Sequence, residues 1–430
     1  MREIGVKKAY GKRQLSVWPF EAWRLALIHA LPPAHPLRDA AYGRRGTLTI
    51  ANPSGRAARG PERGFAPDLL VVGAGIFGLS VAWAALKRGL SVAVLEAETP
   101  GAGASGGIVG ALSPHVPEQW NPKKQFQLDA LLSAGTHWAE VAAISGVDPG
   151  YARTGRLMPL SDAEARERAA DRARGAAVHW GGAAEWRLRD DADPGWLAGA
   201  ACGAVHETLS ARIFPRAAVR ALAAAVEARG GRIRSGCAVR AVAGGRVETD
   251  MGPVIAGRIV IAAGVPGFGL MAPALGQVAG QGVKGQAALL RADVPPDAPM
   301  LYHDGLYVVP HGNGLVAVGS TSENRWDEAR ATDGLLDDVL VRARALCPAL
   351  EGAEVVERWA GLRPKARRRD PMLGEIPGLA GVYSANGAFK IGFGIAHHAG
   401  ALVARMVTGE AVDLPESFTV AHHLSRGLRA

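Results

Sequence analysis

With 430 residues and 48% apolar side chains, the chain is long enough for two domains with sizeable cores. No stretch approaches the roughly 18 uninterrupted apolar residues of a membrane-crossing helix. Cys202, Cys237 and Cys347 are widely spaced and form no C-x-x-C, which points to a reducing, cytoplasmic setting and no metal site. The net charge of +9 is concentrated at one end. Residues 1–65 carry 12 Lys or Arg against 4 Asp or Glu, leaving 37 basic and 36 acidic residues in the remainder. A nearly neutral body argues against nucleic acid as its partner.

Residues 1–66 read as a basic leader, either a disordered tail or the product of an over-extended start codon, with a targeting or nucleic-acid-binding arm as the other reading. A short amphipathic helix fits 20–31. Arg24 and His29 interrupt its apolar stretch, so it is a poor signal peptide. The chain then turns on residues 69–96. Leu69-Leu70-Val71-Val72 reads as a buried parallel strand. Gly73, Gly75 and Gly78 follow in G-x-G-x-x-G spacing, a helix is expected over 76–87 beginning with Ile76 and Phe77, and a second strand ends at Glu96. Gly73 makes the tight turn, Gly75 admits a pyrophosphate to the backbone, and Gly78 lets helix and strand pack closely. The helix N-terminus offers free N–H groups to phosphate. Glu96 is placed to bind a ribose hydroxyl and would repel a 2′-phosphate. Together these features predict a dinucleotide site.

A glycine-rich loop over 100–107 leads to Gly110, with Ala104 and Ser105 available to wrap the cofactor. A helix is expected over 123–145, a helix over 162–174 among short strands, and a helix over 216–229. Strands are expected over 237–242 and 258–262, with a hairpin over 246–256. Val239 lies where an adenine-contacting strand is expected. Ala263 and Gly264 close the 258–262 strand with small residues that let backbone approach the cofactor again. From Lys284 the chain becomes β-rich, with a hairpin over 306–319 around Gly312-Asn313-Gly314. A helix over 332–346, a buried strand over 382–387 and a terminal helix opened by Gly392-Phe393-Gly394 complete the chain.

These pieces resemble the flavin-dependent D-amino acid oxidase superfamily, and within it the glycine oxidase branch. The likeness covers about residues 68–412. It rests on GASGGIVGALSPHVPE (103–118), SGVDP (145–149), VKGQ (283–286), LYHDGLYVVP (301–310), VGST (318–321), WAGLRP (359–364) and the G-x-F-K-x-G of 387–392. The resemblance implies an α/β fold, with a Rossmann-like FAD domain built from 67–118, 205–268 and 355–412. A β-rich α+β substrate domain would comprise 119–204 and 269–354, and 413–430 would form a tail. It implies oxidation of a small amine bearing a carboxylate to its imine, with O2 accepting the electrons and giving H2O2. The resemblance implies that Arg363, in the G-L-R-P motif, is the substrate-carboxylate clamp, for which a planar guanidinium suits bidentate binding, and that it also borders the flavin. It likewise implies that Tyr307 supports the same carboxylate. Lys390 stands where glycine oxidases carry arginine, Ala388 where they carry histidine, and Gly305 where another histidine precedes the tyrosine. These departures open space and alter the polar lining, which points to a substrate larger than glycine or one that is not an α-amino acid. His115 and His303 are candidates to compensate. No cysteine falls near 363–372, so the expected FAD is non-covalent. Many relatives are homo-oligomers, though no interface is legible here. Other readings are a dehydrogenase that passes electrons to a quinone or carrier, a tRNA-modifying oxidase, and a flavin-binding protein without turnover.

Overall fold

The computed structural model describes residues 66–425; the expected leader and its 20–31 helix lie outside them. The fingerprint region folds as its pattern dictates. β1 (Leu69–Val72) is buried on both faces, α1 (Ile76–Lys87) follows, and Gly89, at φ 83°, turns the chain into β2 (Val92–Leu95). α2 (Pro122–Ser145) begins where Asn121 accepts a hydrogen bond from the Lys124 amide (3.1 Å), with Pro122 at the first helical position, and stops at Gly146 in left-handed conformation. β3 (Arg156–Pro159) follows. α3 (Ala163–His179), capped by Asp162 on the Ala165 amide (2.7 Å), runs about a turn past its expected end. β4 (Trp186–Arg189), β5 (Ala204–Glu207) and α4 (Pro215–Ala228) come next.

β6 (Arg232–Arg234), β7 (Val239–Ala243), β8 (Arg246–Thr249), β9 (Gly252–Ile255) and β10 (Arg258–Ile261) lead to α5 (Val265–Leu275). The long β11 (Gly280–Arg291) precedes β12 (Met300–His303) and the hairpin β13 (Leu306–Pro310) and β14 (Leu315–Gly319). Then follow α6 (Gly334–Leu346), β15 (Glu354–Ala366), β16 (Met372–Glu375), β17 (Val382–Asn386) and α7 (Gly392–Val407).

Two large sheets result. The first has the order β16-β17-β10-β1-β2-β6. It is parallel except at β16, and α1, α4 and α7 supply apolar residues to the core on one of its faces. Parallel strands covered in this way read as continuous apolar runs, and Leu69, Leu70 and Val71 are all fully buried. The second sheet has eight strands in the order β15-β11-β14-β13-β12-β3-β5-β4, and β7, β8 and β9 form a small third sheet.

The expected division at 355 comes one strand too early. Residues 354–366 pair along all of β11, from Arg291↔Glu354 to Gly280↔Ala366, so β15 belongs to the second sheet. The tail expected over 413–430 also packs against the body up to the last described residue. Phe418 and Val420 are buried, and Thr419 bridges Leu373.

Candidate active site

The fingerprint glycines are where backbone crowds backbone. A Cβ on Gly78 would stand 1.9 Å from the carbonyl oxygen of Gly73, and one on Gly73 would stand 2.7 Å from that of Ala262. Gly73 also has φ 104°, which disfavours any side chain. Gly75 is different: a Cβ there would meet only Ser105 Oγ, at 3.2 Å. The Ile76 amide at the start of α1 donates to the same Ser105 hydroxyl oxygen at 3.0 Å. Glu96 accepts from the Ala74 amide at 2.7 Å and the Glu98 amide at 3.0 Å, so its carboxylate braces the turn it was expected to face.

The other expected cofactor residues gather around this turn to different degrees. Ala263 lies against Gly73, with its Cα 2.9 Å from where a Cβ would be, and the Gly264 carbonyl accepts from Asn386 Nδ2 at 2.8 Å. Gly392 opens α7 beside Ile76 and Phe77, and Phe393 follows it, packed against the same core. Gly394 faces Leu131. Val239, on β7, packs in the cluster that contains Leu95 and Cys237. Gly110 serves the backbone. Its carbonyl accepts from the Ile213 amide at 2.9 Å, and a Cβ on it would strike the Ile213 carbonyl at 1.9 Å. Ala104 begins the one-turn helix that holds Ser105.

The eight-stranded sheet carries the other half of the site. Tyr307 pairs with Gly319, Gly319 with Ala287, and Ala287 with Trp359. Gly285 pairs with Gly361, and Val283 with Arg363. Alternation along the strands puts Tyr307, Gly319, Gly285, Gly361, Trp359 and Arg363 on one face. Arg363 is partly buried. Its Nη2 donates to Ser320 Oγ at 2.6 Å and its Nη1 to the Thr321 carbonyl at 3.1 Å. Desolvation pushes its pKa down to about 10, against the pull of Glu323. It forms no ion pair with any carboxylate among the described residues. Lys390 is exposed. Partial desolvation, then the charges of Arg363 and Arg369, lower its ammonium below the usual lysine range. The Arg363 and Lys390 charges are thus near enough to act on each other, and among the described residues no carboxylate is ion-paired to either.

The two histidines considered as substitutes stand apart in role. His303 is exposed. The His115 amide donates to Gln127 Oε1 at 2.7 Å, and burial lowers its imidazole pKa. Sequence reasoning missed Trp359, whose ring packs over Gly361 and against Gly107 (3.3 Å to its would-be Cβ). It also missed Arg216, which donates to the Gly106 carbonyl (2.8 Å) and grips Glu357 at 2.9 and 2.6 Å. Glycines inside strands at 285, 319 and 361 were the available signal, since they mark close approach of neighbouring groups.

The family model for FAD dependent oxidoreductases (DAO) matches residues 68–406. The chain belongs to this family. Among proteins similar to this FAD dependent oxidoreductase is a glycine oxidase of Geobacillus kaustophilus (strain HTA426), 30% identical over 375 residues, 84% of this chain and 98% of that protein. A glycine oxidase of Bacillus licheniformis is 29% identical over 355 residues, 80% of this chain and 94% of that protein. The crystal structure of glycine oxidase from Geobacillus kaustophilus matches with a TM-score of 0.74 at 25% identity, over 85% of this chain and all of that one. The glycine turn fits the family's FAD: Gly75 is clear of backbone while Gly73 and Gly78 are filled by it, and an amide and a hydroxyl converge beside it. Ser105, whose hydroxyl oxygen accepts from the Ile76 amide and leaves its own proton to donate, would hold a phosphate at the N-terminus of α1, and Glu96 would hold the ribose.

Proposed function

We propose that the chain oxidises the C–N bond of a small amino acid or N-substituted glycine to the imine, with O2 as acceptor and H2O2 as product. The observation that carries this reading is Arg363. It is a partly buried guanidinium, held in place by neutral partners and left without a carboxylate of its own among the described residues. A desolvated cation of this kind favours an anionic ligand, and its fork matches a carboxylate in two parallel hydrogen bonds. Its lowered pKa still leaves it charged at neutral pH. Tyr307 shares its face and supports the same carboxylate. Lys390 adds a second positive charge, which favours a substrate carrying more negative charge or bulk than glycine.

FAD, when bound, supplies the two-electron acceptor for the reaction. The protein's own residues bind and orient the substrate. Arg363 fixes the carboxylate, Gly285 and Gly361 leave room for the Arg363 guanidinium and the Trp359 ring to lie against the sheet, and Trp359 walls off one side. The absence of cysteine from 363–372 supports non-covalent attachment of FAD. No described helix is long and apolar enough to cross a membrane.

Anaerobic mixing of the yellow protein with glycine, sarcosine, proline, D- and L-amino acids and larger N-substituted glycines tests the reading. Rapid bleaching by one of them is expected, followed by stoichiometric peroxide on admitting air. Bleaching without peroxide would assign a dehydrogenase in its place. A flavin that stays oxidised throughout would overturn the substrate class.

A further inference from the structure

Farther across the sheet from Arg363, a charged pair is buried in the same face. Arg156 is 4% exposed and Glu207 0%. They pair in register across β3 and β5, with Arg156 Nη2 3.4 Å from Glu207 Oε2. Glu207 is further satisfied by the Leu209 amide, the Ser210 amide at 2.7 Å and the Ser210 hydroxyl at 2.5 Å. Arg156 is less well provided: its Nε is buried without a partner. Replacing such a pair by apolar packing is often neutral or stabilising, so stability alone gives no reason for it.

What Arg156 does reach is Tyr307. Its Nη1 lies 3.2 Å from the Tyr307 hydroxyl oxygen. Its guanidinium carbon sits 5.2 Å from the ring centre of Tyr302, which in turn packs on the Tyr307 ring with centroids 4.7 Å apart. A guanidinium has donors only and does not lose its proton. The bond to Tyr307 therefore runs in one direction, with Arg156 donating. The phenol oxygen is used as an acceptor, and its own proton meets no acceptor among the described residues. The face that Tyr307 shares with Arg363 is where that acceptor would lie.

We propose that Arg156, braced by Glu207, is a positioning residue that fixes the hydrogen-bond polarity of Tyr307, committing the phenol to donate its proton to the ligand's carboxylate. Without Arg156 the hydroxyl is free to rotate and to turn its oxygen, rather than its proton, towards the ligand's carboxylate. The inference rests on the reading of Arg363 and Tyr307 as the carboxylate site.

The test titrates acetate into the FAD-loaded protein and follows the flavin absorbance. Arg156→Met and Tyr307→Phe should each weaken acetate by about tenfold, the scale of one hydrogen bond to a charged group. The double variant should be no weaker than Tyr307→Phe, because both changes remove the same bond. Arg156→Lys, which restores a donor, should recover much of the affinity. Should Arg156→Met fail to fold because Glu207 is left alone, Arg156→Met with Glu207→Gln removes the pair as a unit and gives the same comparison against Tyr307→Phe. Losses that add in the double variant would overturn the inference while sparing the carboxylate site. Parent protein that does not bind acetate, or Arg363→Lys that binds it as tightly as the parent, would overturn both.

Discussion

A Cβ atom on Gly285 would stand 2.0 Å from Nη1 of Arg363. The guanidinium proposed as the substrate clamp thus rests on the bare backbone of the neighbouring strand, in a space only glycine leaves open. Gly285→Ala should displace the guanidinium, because the flexible end of the arginine gives way before the sheet does. The expected result is a rise in KM of about tenfold or more for the best substrate, from the loss of charge-assisted hydrogen bonds. FAD content should stay at the parent level. An unchanged KM would mean that Arg363 does not hold the substrate where it now lies.

Gly78→Ala tests the other half of the site. Its new methyl would meet the Gly73 carbonyl at 1.9 Å, and neither the strand nor the helix has room to yield. The cost should be about 3 kcal/mol of stability, the upper range for an overpacked core position. The purified variant should also be colourless. A yellow protein with the parent melting temperature would show that the turn can relax.

Arg216 ties the glycine-rich loop to the second sheet through the Gly106 carbonyl and Glu357. The pair is about one-third exposed, so solvent screening reduces its worth to about 1 kcal/mol. Arg216→Ala should release FAD about five- to tenfold more readily on dialysis. Arg216→Lys should not repair the defect, because an ammonium cannot form the bidentate contact. Equal flavin retention in all three proteins would remove Arg216 from the cofactor's support.

Two buried histidines set an acid limit. Burial holds His311 at about 4 and His397 at about 3, so both are neutral in the folded protein at pH 7. Both donate through Nε2, His311 to the Ile108 carbonyl at 2.8 Å and His397 to the Ala130 carbonyl at 2.9 Å. The unfolded chain takes up these protons near pH 6.5, ahead of the folded one. Their contribution to stability is therefore complete above about 6.5 and is lost as pH falls towards 4. Each group should cost about 2 kcal/mol between pH 6.5 and 5. The melting temperature should drop across that interval, and His311→Gln should flatten the drop. A flat profile in the parent would contradict the neutral assignment.

What could be seen in advance follows physical range. The stretch from Leu69 to Glu96 is local: an apolar strand, a turn that needs three glycines, and a helix that must bury one face, all within about thirty residues. Such consistency across levels is legible without neighbours. The caps that Asn121, Asp162 and Asp333 place on the first turns of α2, α3 and α6 are equally local. The contacts of Arg363 are not of this kind. Ser320 and Thr321 are 43 and 42 residues away, and Gly285 is 78 residues away; only the register of β11 against β15 brings the last of these to it. Arg156 and Tyr307 are separated by 151 residues and meet through β12. The division at 355 failed for the same reason. Residues 354–366 look like any strand, and only their partner decides the sheet. Glu96 follows directly on β2, but its hold on the Ala74 amide could not be read from spacing.

The end of β15 carries one more consequence. The Phe389 amide donates to the Pro364 carbonyl at 2.9 Å, and Lys365 bridges Ala388. The strand that presents Arg363 is thereby stitched to the turn that presents Ala388 and Lys390, and backbone atoms do the stitching. Side chains at 388 and 390 can change while the stitch stays intact. On the proposed reading, a lineage of such enzymes can move from one amine to another by single codon changes at these two positions, keeping the arginine and the scaffold it inherited.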